Sequence, residues 1–137
     1  PPTTTQPPRR NSALNAAEQH IRVLHETWPT GNLDRLGDFY DENAILLPPD
    51  AGAAITGREA IAATYADFEN ITTLNAFEIT SLESFLFETG TAVHMHFDVD
   101  YTLQDERYRE NGLELYWMDT RPLILWRHQI ILTSRSR

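Results

Sequence analysis

The chain predicts an α+β domain in which about three helices come first and pack on one face of a strongly curved antiparallel β-sheet. Apolar residues recur at helical spacing before Asn70, and four long β-rich runs joined by turn signals follow it. No repeat or linker interrupts the 137 residues, a length that suits one domain with a core of its own.

Residues 1–12, PPTTTQPPRRNS, are rich in Pro and Thr, have no hydrophobic period and are expected to form a disordered tail. The cytoplasm is the expected compartment, with export the alternative if this Pro/Thr-rich start, which is not Met, follows a removed signal peptide. From Ser12 onward Leu14, Ala17, Ile21, Leu24 and Trp28 form one apolar stripe at spacings of three and four, and Pro29-Thr30-Gly31 ends that helix. Asn32 can cap a second, shorter helix with Leu33, Leu36, Phe39 and Tyr40 on its apolar face. Ala44 to Leu47 is a short strand, Pro48-Pro49-Asp50-Ala51-Gly52 reverses the chain, and Ala53 to Ile55 brings it back. Thr56 with Glu59 three residues on reads as a capping box that starts the third helix through Ala60, Ile61, Ala62 and Ala63.

The long strands are expected at Asn75–Glu88, Thr91–Leu103, Gly112–Asp119 and Leu123–Thr133. Hairpin turns fall at Glu88-Thr89-Gly90 and at 119–122, with a longer charged loop over 104–111. The globular domain therefore covers 13–133, and 134–137 is a short basic tail.

A formal charge of −9, from 20 acids against 11 Lys plus Arg, argues against nucleic acid or an anionic membrane surface as partner. No apolar run approaches the roughly 20 residues of a membrane-spanning helix. The absence of cysteine removes disulfides, thiol nucleophiles and Cys-ligated metals.

Four short motifs occur in order: W-x-x-G-N-L-D (Trp28 to Asp34), F-Y-D-E-N-A (Phe39 to Ala44), G-R-E-A-I (Gly57 to Ile61) and L-W-R-H-Q (Leu125 to Gln129). In this order and spacing the chain resembles the NTF2-like superfamily, and within it the SnoaL-like and DUF4440-like domains, over about Ala13 to Thr133. The resemblance implies an NTF2-like (cystatin-like) cone, in which a bent sheet wraps the helices around an apolar pocket. It also implies cofactor-free chemistry in members such as isomerases, cyclases and epoxide hydrolases, and a dimer through the convex sheet face in many of them.

A ketosteroid isomerase-like proton shuttle needs a carboxylate base on the first strand and donors opposite it for the oxyanion. Matching FYDENAILLPP to that pattern puts Pro48 at the aspartate's position and Leu24 about where the oxyanion tyrosine stands. The usual isomerase is therefore not expected. Tyr65 matches a supporting tyrosine of the pocket's hydrogen-bond network, and it also reads as a core tyrosine with its hydroxyl at the cavity edge. Limonene epoxide hydrolase-like chemistry uses an Asp-Arg-Asp set. Matching Trp126-Arg127 to that family's W-R puts His128 at one aspartate position, with no clear match for the remaining Arg and Asp.

Strand parity then assigns faces. A two-residue turn at Thr120-Arg121 puts Leu113, Leu115, Trp117, Ile124, Trp126, His128 and Ile130 on one face, and Glu114, Tyr116, Met118, Arg127 and Gln129 on the other. Grouping the more apolar sets places His128 among Trp117, Trp126, Phe97 and Tyr101 in the concave pocket. The His94-x-His96-x-Asp98-x-Asp100 stripe then lies on the convex face with Glu114 and Arg127. Side chains two apart on a strand are roughly 6.5–7 Å apart, long for two ligands of one ion, so this stripe reads as a polar dimer face rather than a metal site. His20 and His25 read as helix-surface or edge residues.

The expected function is binding of a small, largely apolar molecule, with His128 and Tyr65 as catalytic groups and Trp28, Phe97, Tyr101, Trp117 and Trp126 as ligand-binding walls. Isomerisation, cyclisation or hydration without cofactor or metal is the expected chemistry. A non-catalytic dimerisation or ligand-binding module is the alternative.

Overall fold

The computed structural model describes residues 11–50 and 52–136, so most of the expected N-terminal tail lies outside the described residues. Helix α1 spans Ser12–Thr27, with the Asn11 side chain accepting from the Ala13 N–H at 2.7 Å. Its stripe buries Ala17, Ile21, Leu24 and also His25. A short 3-10 turn (Trp28–Thr30) and a 3-10 helix (Leu33–Phe39) follow, so the expected second helix has the tighter winding and ends before Tyr40. Tyr40 begins strand β1, Tyr40–Leu47.

Strand β2 is only Ile55–Thr56, and helix α2 runs Arg58–Ile71. The expected capping box does not form: Thr56 belongs to β2, and Gly57, at φ 99°, occupies the cap position without a side-chain bond. A left-handed residue there needs glycine, and it turns Thr56 away from the helix end. Arg58 donates from Nε to the Tyr40 carbonyl at 3.0 Å and ties α2 to β1.

Strands β3 (Thr72–Phe87), β4 (Gly90–Leu103), β5 (Glu106–Met118) and β6 (Ile124–Ser136) complete the sheet, ordered β2-β1-β6-β5-β4-β3. All neighbours are antiparallel except β1 and β6, which run parallel. The expected loop over 104–111 is a tight hairpin instead. Gln104 and Asp105 take positive φ (50° and 65°), and Leu103 pairs directly with Glu106. The charges beyond that turn are strand residues held by cross-strand pairs, such as Arg107 to Asp100 at 2.6 Å. Strand β6 likewise continues to Ser136, opposite Tyr108, through residues whose basic side chains read as a tail.

Bulges bend the sheet at Leu74/Ala76 and Ile79/Ser81 on β3, and at Asn111/Gly112 and Trp117/Met118 between β5 and β6. The core fills the concave side: Ala17, Ile21 and Leu24 of α1, Leu36, Ile61 of α2, and Val93, Met95, Met118 and Ile124 of the sheet. Among the described residues no helix is long and apolar enough to cross a membrane.

His128 does not lie on the expected concave face. The grouping of β5 with β6 holds for Tyr116 with Arg127 and Leu115 with His128, but not for Ile124, which the irregularity between Trp117 and Met118 puts opposite Met118 on the buried face. The register to β4 is the other one: Val93 pairs with Tyr116, Met95 with Glu114 and Phe97 with Gly112. Glu114, Tyr116 and Arg127 therefore share the buried face with Phe97, while Leu115, Trp117, Trp126 and His128 lie on the outer face and stay partly exposed. Matching the most apolar sets fails because a paired guanidinium and carboxylate can occupy an interior that hydrophobicity alone reserves for leucine and tryptophan.

Gly112 sits at a close approach of β5 to both of its neighbours. A Cβ there would lie 2.5 Å from both the Ile130 carbonyl oxygen and the Phe97 ring. Gly112→Ala is expected to cost about 1–3 kcal/mol in urea denaturation, the usual penalty for overpacking, and an unchanged midpoint would show that the β5–β6 bulge relaxes freely.

Candidate functional site

Between α1, α2 and the concave sheet lies a cavity of about 530 Å³. One end is aromatic. Trp28 meets Phe68 and Phe77 edge-on, with ring centroids 5.9 and 5.3 Å apart; Phe77 stacks on Phe97 at 5.6 Å, and Phe68 meets Tyr101 at 5.6 Å. Such offset and edge-on pairs add to the stability of the apolar surface they bury.

The other end is a buried polar network built around Arg127, which is 4% exposed. Its Nη2 donates to Glu114 Oε1 and Oε2, each at 2.7 Å, and its Nε to Oε2 at 3.1 Å. Its Nη1 donates to the hydroxyls of Tyr40 at 2.7 Å and Tyr65 at 2.5 Å, which are 2.6 Å from one another. Glu114 also accepts from the Tyr116 hydroxyl. Burial alone would raise the Glu114 carboxyl, but Arg127 and His25 outweigh it and hold it well below the usual carboxylate range.

His25 closes the network from α1. Trp28 Nε1–H, which can only donate, reaches His25 Nδ1 at 2.9 Å. That nitrogen therefore carries no hydrogen, and the neutral ring bears its hydrogen on Nε2. Nε2 lies 2.8 Å from the Tyr116 hydroxyl and 3.5 Å from Glu114 Oε2. Burial lowers the His25 pKa despite Glu114, and protonating Nδ1 would also break the Trp28 bond.

Counting hydrogens locates a donor that remains on the tyrosines. Tyr40 is fully buried, and its hydroxyl has no acceptor but Tyr65 among the described residues. Tyr40 therefore donates to Tyr65. Tyr65 accepts from both Tyr40 and Arg127 and keeps its own hydrogen for the cavity it lines. Burial raises the Tyr65 pKa well above its ordinary value, so the hydroxyl stays protonated.

Of the side chains singled out from sequence, Tyr65, Trp28, Phe97 and Tyr101 line this cavity. His128, Trp117 and Trp126 do not. Trp126 packs against His128 on the outer face at 5.6 Å, and Trp117 packs against Phe87 at 5.1 Å. In the His94–Asp100 stripe, His94 rests on Phe85, His96 bonds Ser81 at 2.9 Å and Asp100 pairs with Arg107 and Arg109. His25, Glu114, Arg127, Glu110 and Asp50 reach the cavity unanticipated. For His25 the signal is in the sequence: it stands four residues after Ile21 and three before Trp28, on the apolar stripe of α1.

The sequence matches the model of the SnoaL-like domain over residues 21–121. The chain belongs to the SnoaL-like domain family. No curated protein matches the chain significantly. Solved structures similar to this SnoaL-like domain include SalBIII, an epoxide hydrolase/cyclase-like enzyme described in pyran ring formation in the polyether salinomycin. It matches at 14% identity and TM-score 0.74, over 85% of this chain and 91% of that one. A ketosteroid isomerase-like protein from Erwinia carotovora atroseptica matches at 12% identity and TM-score 0.76, over 90% and 99%. A candidate polyketide cyclase from Xanthomonas campestris matches at 14% identity and TM-score 0.70, over 86% and 91%. At these identities the likeness is one of fold.

Two expectations follow for this SnoaL-like domain. Glu114→Gln leaves Arg127 buried without its countercharge and is expected to cost about 3–5 kcal/mol, whereas a paired apolar replacement of both residues costs far less; urea denaturation of the two variants checks the order. Acid also destabilises the fold. With His25 lowered below its ordinary value of about 6.5, the unfolded chain takes up that proton first, so stability falls as pH drops below about 6.5, and Glu114 adds a second loss below about pH 4.3. The urea midpoint is expected to be lower at pH 5 than at pH 7. His25→Asn should shrink the difference without abolishing it, because burial lowers His20 as well; a midpoint flat between those pH values contradicts the assignment.

Proposed function

We propose that this SnoaL-like domain takes a small, largely apolar molecule into its aromatic cavity with an oxygen acceptor on the Tyr65 hydroxyl, and performs cofactor-free acid–base chemistry on it. The hydrogen that Tyr65 keeps for the cavity carries this reading. A carbonyl or epoxide oxygen accepting it faces a phenol that already accepts from Arg127 and Tyr40. Each accepted bond polarises the Tyr65 O–H, so the donor is strongest when negative charge grows on the substrate oxygen. Because the network is already bonded, it needs no reorganisation at that moment.

The base is drawn from the carboxylates on the cavity wall. Glu114 is taken up by Arg127 and Tyr116, and Glu110 by Tyr101 and Ser134. Asp50, in the turn after β1, accepts only the Gly52 N–H, at 3.1 Å, among the described residues and is exposed at the cavity's edge. It stands two residues beyond Pro48, and we assign it the proton-abstracting role. Isomerisation, cyclisation and epoxide opening all share this pairing of an oxygen-side donor with a carboxylate across from it.

The second reading, a ligand-binding module without turnover, is favoured by one observation: every buried titratable group in the network already has an internal partner. A ketone probe separates the two. 4-Phenylacetophenone is expected to bind, and Tyr65→Phe to weaken it about three- to tenfold, as a hydrogen bond of roughly 0.5–1.5 kcal/mol implies; equal affinity in both proteins overturns the placement of the oxygen. In D2O the protein is expected to accelerate exchange of the probe's methyl hydrogens, with Asp50→Asn slowing it about 10²-fold. Binding without accelerated exchange selects the binding module.

A further inference from the structure

The cavity is polarised in charge as well as in shape. Three carboxylates line it, Asp50, Glu110 and Glu114, against one guanidinium, Arg127, which Glu114 already neutralises. His25 is neutral, as its bond from Trp28 requires. Glu110 accepts from Tyr101 at 2.9 Å and Ser134 at 2.7 Å, and among the described residues no cationic side chain lies within ion-pair distance of it. The rings of Tyr101, Phe68, Trp28 and Phe77 form a continuous wall beside it. A carboxylate without a countercharge next to aromatic faces is a site for an organic cation, which gains from the carboxylate and from the ring quadrupoles together. The same field repels carboxylates and phosphates.

We infer that the molecule taken by this cavity carries a protonated or quaternary amine at the end remote from its oxygen, seated against Glu110 and the Trp28, Phe68 and Tyr101 rings. This rests on the reading that puts the oxygen on Tyr65. Glu110 and Glu114 are four residues apart on one strand, roughly 13 Å at 3.3 Å per residue. Glu114 belongs to the bonded end of the cavity and Glu110 to the end beside the rings, so the ligand is an elongated amino ketone or amino epoxide with its amine and its oxygen at opposite ends.

Three probes of one shape test it: 4-phenylacetophenone, its 4′-(trimethylammonio)methyl derivative and its 4′-carboxymethyl derivative, each titrated into the full chain by calorimetry. The ammonium probe is expected to bind at least tenfold tighter than the neutral ketone, and the carboxylate at least tenfold weaker. Glu110→Gln, whose amide oxygen can still accept from Tyr101, should bring the ammonium and neutral affinities within about threefold of each other. In the wild-type protein, raising salt from 0.05 to 0.5 M should weaken the ammonium probe and leave the neutral one unmoved. This keeps the test decisive even where Glu110→Gln does not fold. Neutral ketone binding that depends on Tyr65, with no preference for the ammonium, overturns the amine inference and leaves the function reading intact. Binding of none of the three overturns both.

Discussion

A guanidinium and a carboxylate held out of water between two strands and two helices set the terms for everything around them. Arg127 and Glu114 are each 4% exposed, and at that depth an unpartnered charge is prohibitive. Every polar group brought near them has a definite bond: two phenols on one guanidinium nitrogen, a third phenol on the carboxylate, and an imidazole behind it. The pair does not have to stabilise the fold relative to an apolar core, since desolvation offsets much of its attraction. What it does is fix positions. Tyr40 at the start of β1, Tyr65 on α2, His25 on α1 and Tyr116 on β5 all orient toward one centre, so helices and sheet share a single alignment. The aromatic half of the cavity, by contrast, is held by ring packing that tolerates small shifts.

The α+β class, the order of elements and the family were legible because they rest on period and punctuation: the stripe from Leu14 to Trp28, the reversal at Pro48-Pro49, and the alternation in the last strands. Tyr65, Trp28, Phe97 and Tyr101 were legible because each stands on the apolar side of a strongly periodic element. The sheet face at the far end of the chain was not. Leu113, Leu115, Trp117 and Trp126 outscore Gly112, Glu114, Tyr116 and Arg127 in hydrophobicity, and no rule of composition selects the second set for the interior. The choice depends on a partner two strands away, and on a tight turn at Gln104-Asp105 that looks like part of a charged loop. A local reading of alternation recovers which residues share a face and leaves open which face is inside.

Similar reasoning explains why His25 escapes notice. A histidine on an amphipathic helix reads as a boundary residue unless something beneath it can take its hydrogen, and Tyr116, 91 positions later in the chain, is what does so. The outer sheet face has the opposite character. There Trp117, Trp126, Phe87 and the imidazoles of His94 and His128 lie against strand neighbours in half-exposed positions, with the charged ladder of Asp100, Arg107 and Arg109 toward one end. The sheet thus buries one ion pair, Arg127 with Glu114, while leaving Trp117 and Trp126 half-exposed outside, the reverse of what hydrophobicity alone would place there.

The indole of Trp28 can only give a hydrogen, and that single fact sets the direction of the whole chain of bonds behind it. From Trp28 the hydrogens point to His25, from His25 to Tyr116 and from Tyr116 to Glu114, while on the far side they point from Arg127 and Tyr40 to Tyr65 and out into the cavity. A row of groups that could conduct protons in either direction is polarised one way at rest. On the His25 arm every hydrogen already points to Glu114, so a proton arriving at Nδ1 has only the indole to displace, whereas on the Tyr65 arm the hydrogens point the other way, into the cavity. The network therefore works as a fixed dipole array with two arms, one aiming its hydrogens at the buried carboxylate and the other aiming them at whatever occupies the cavity.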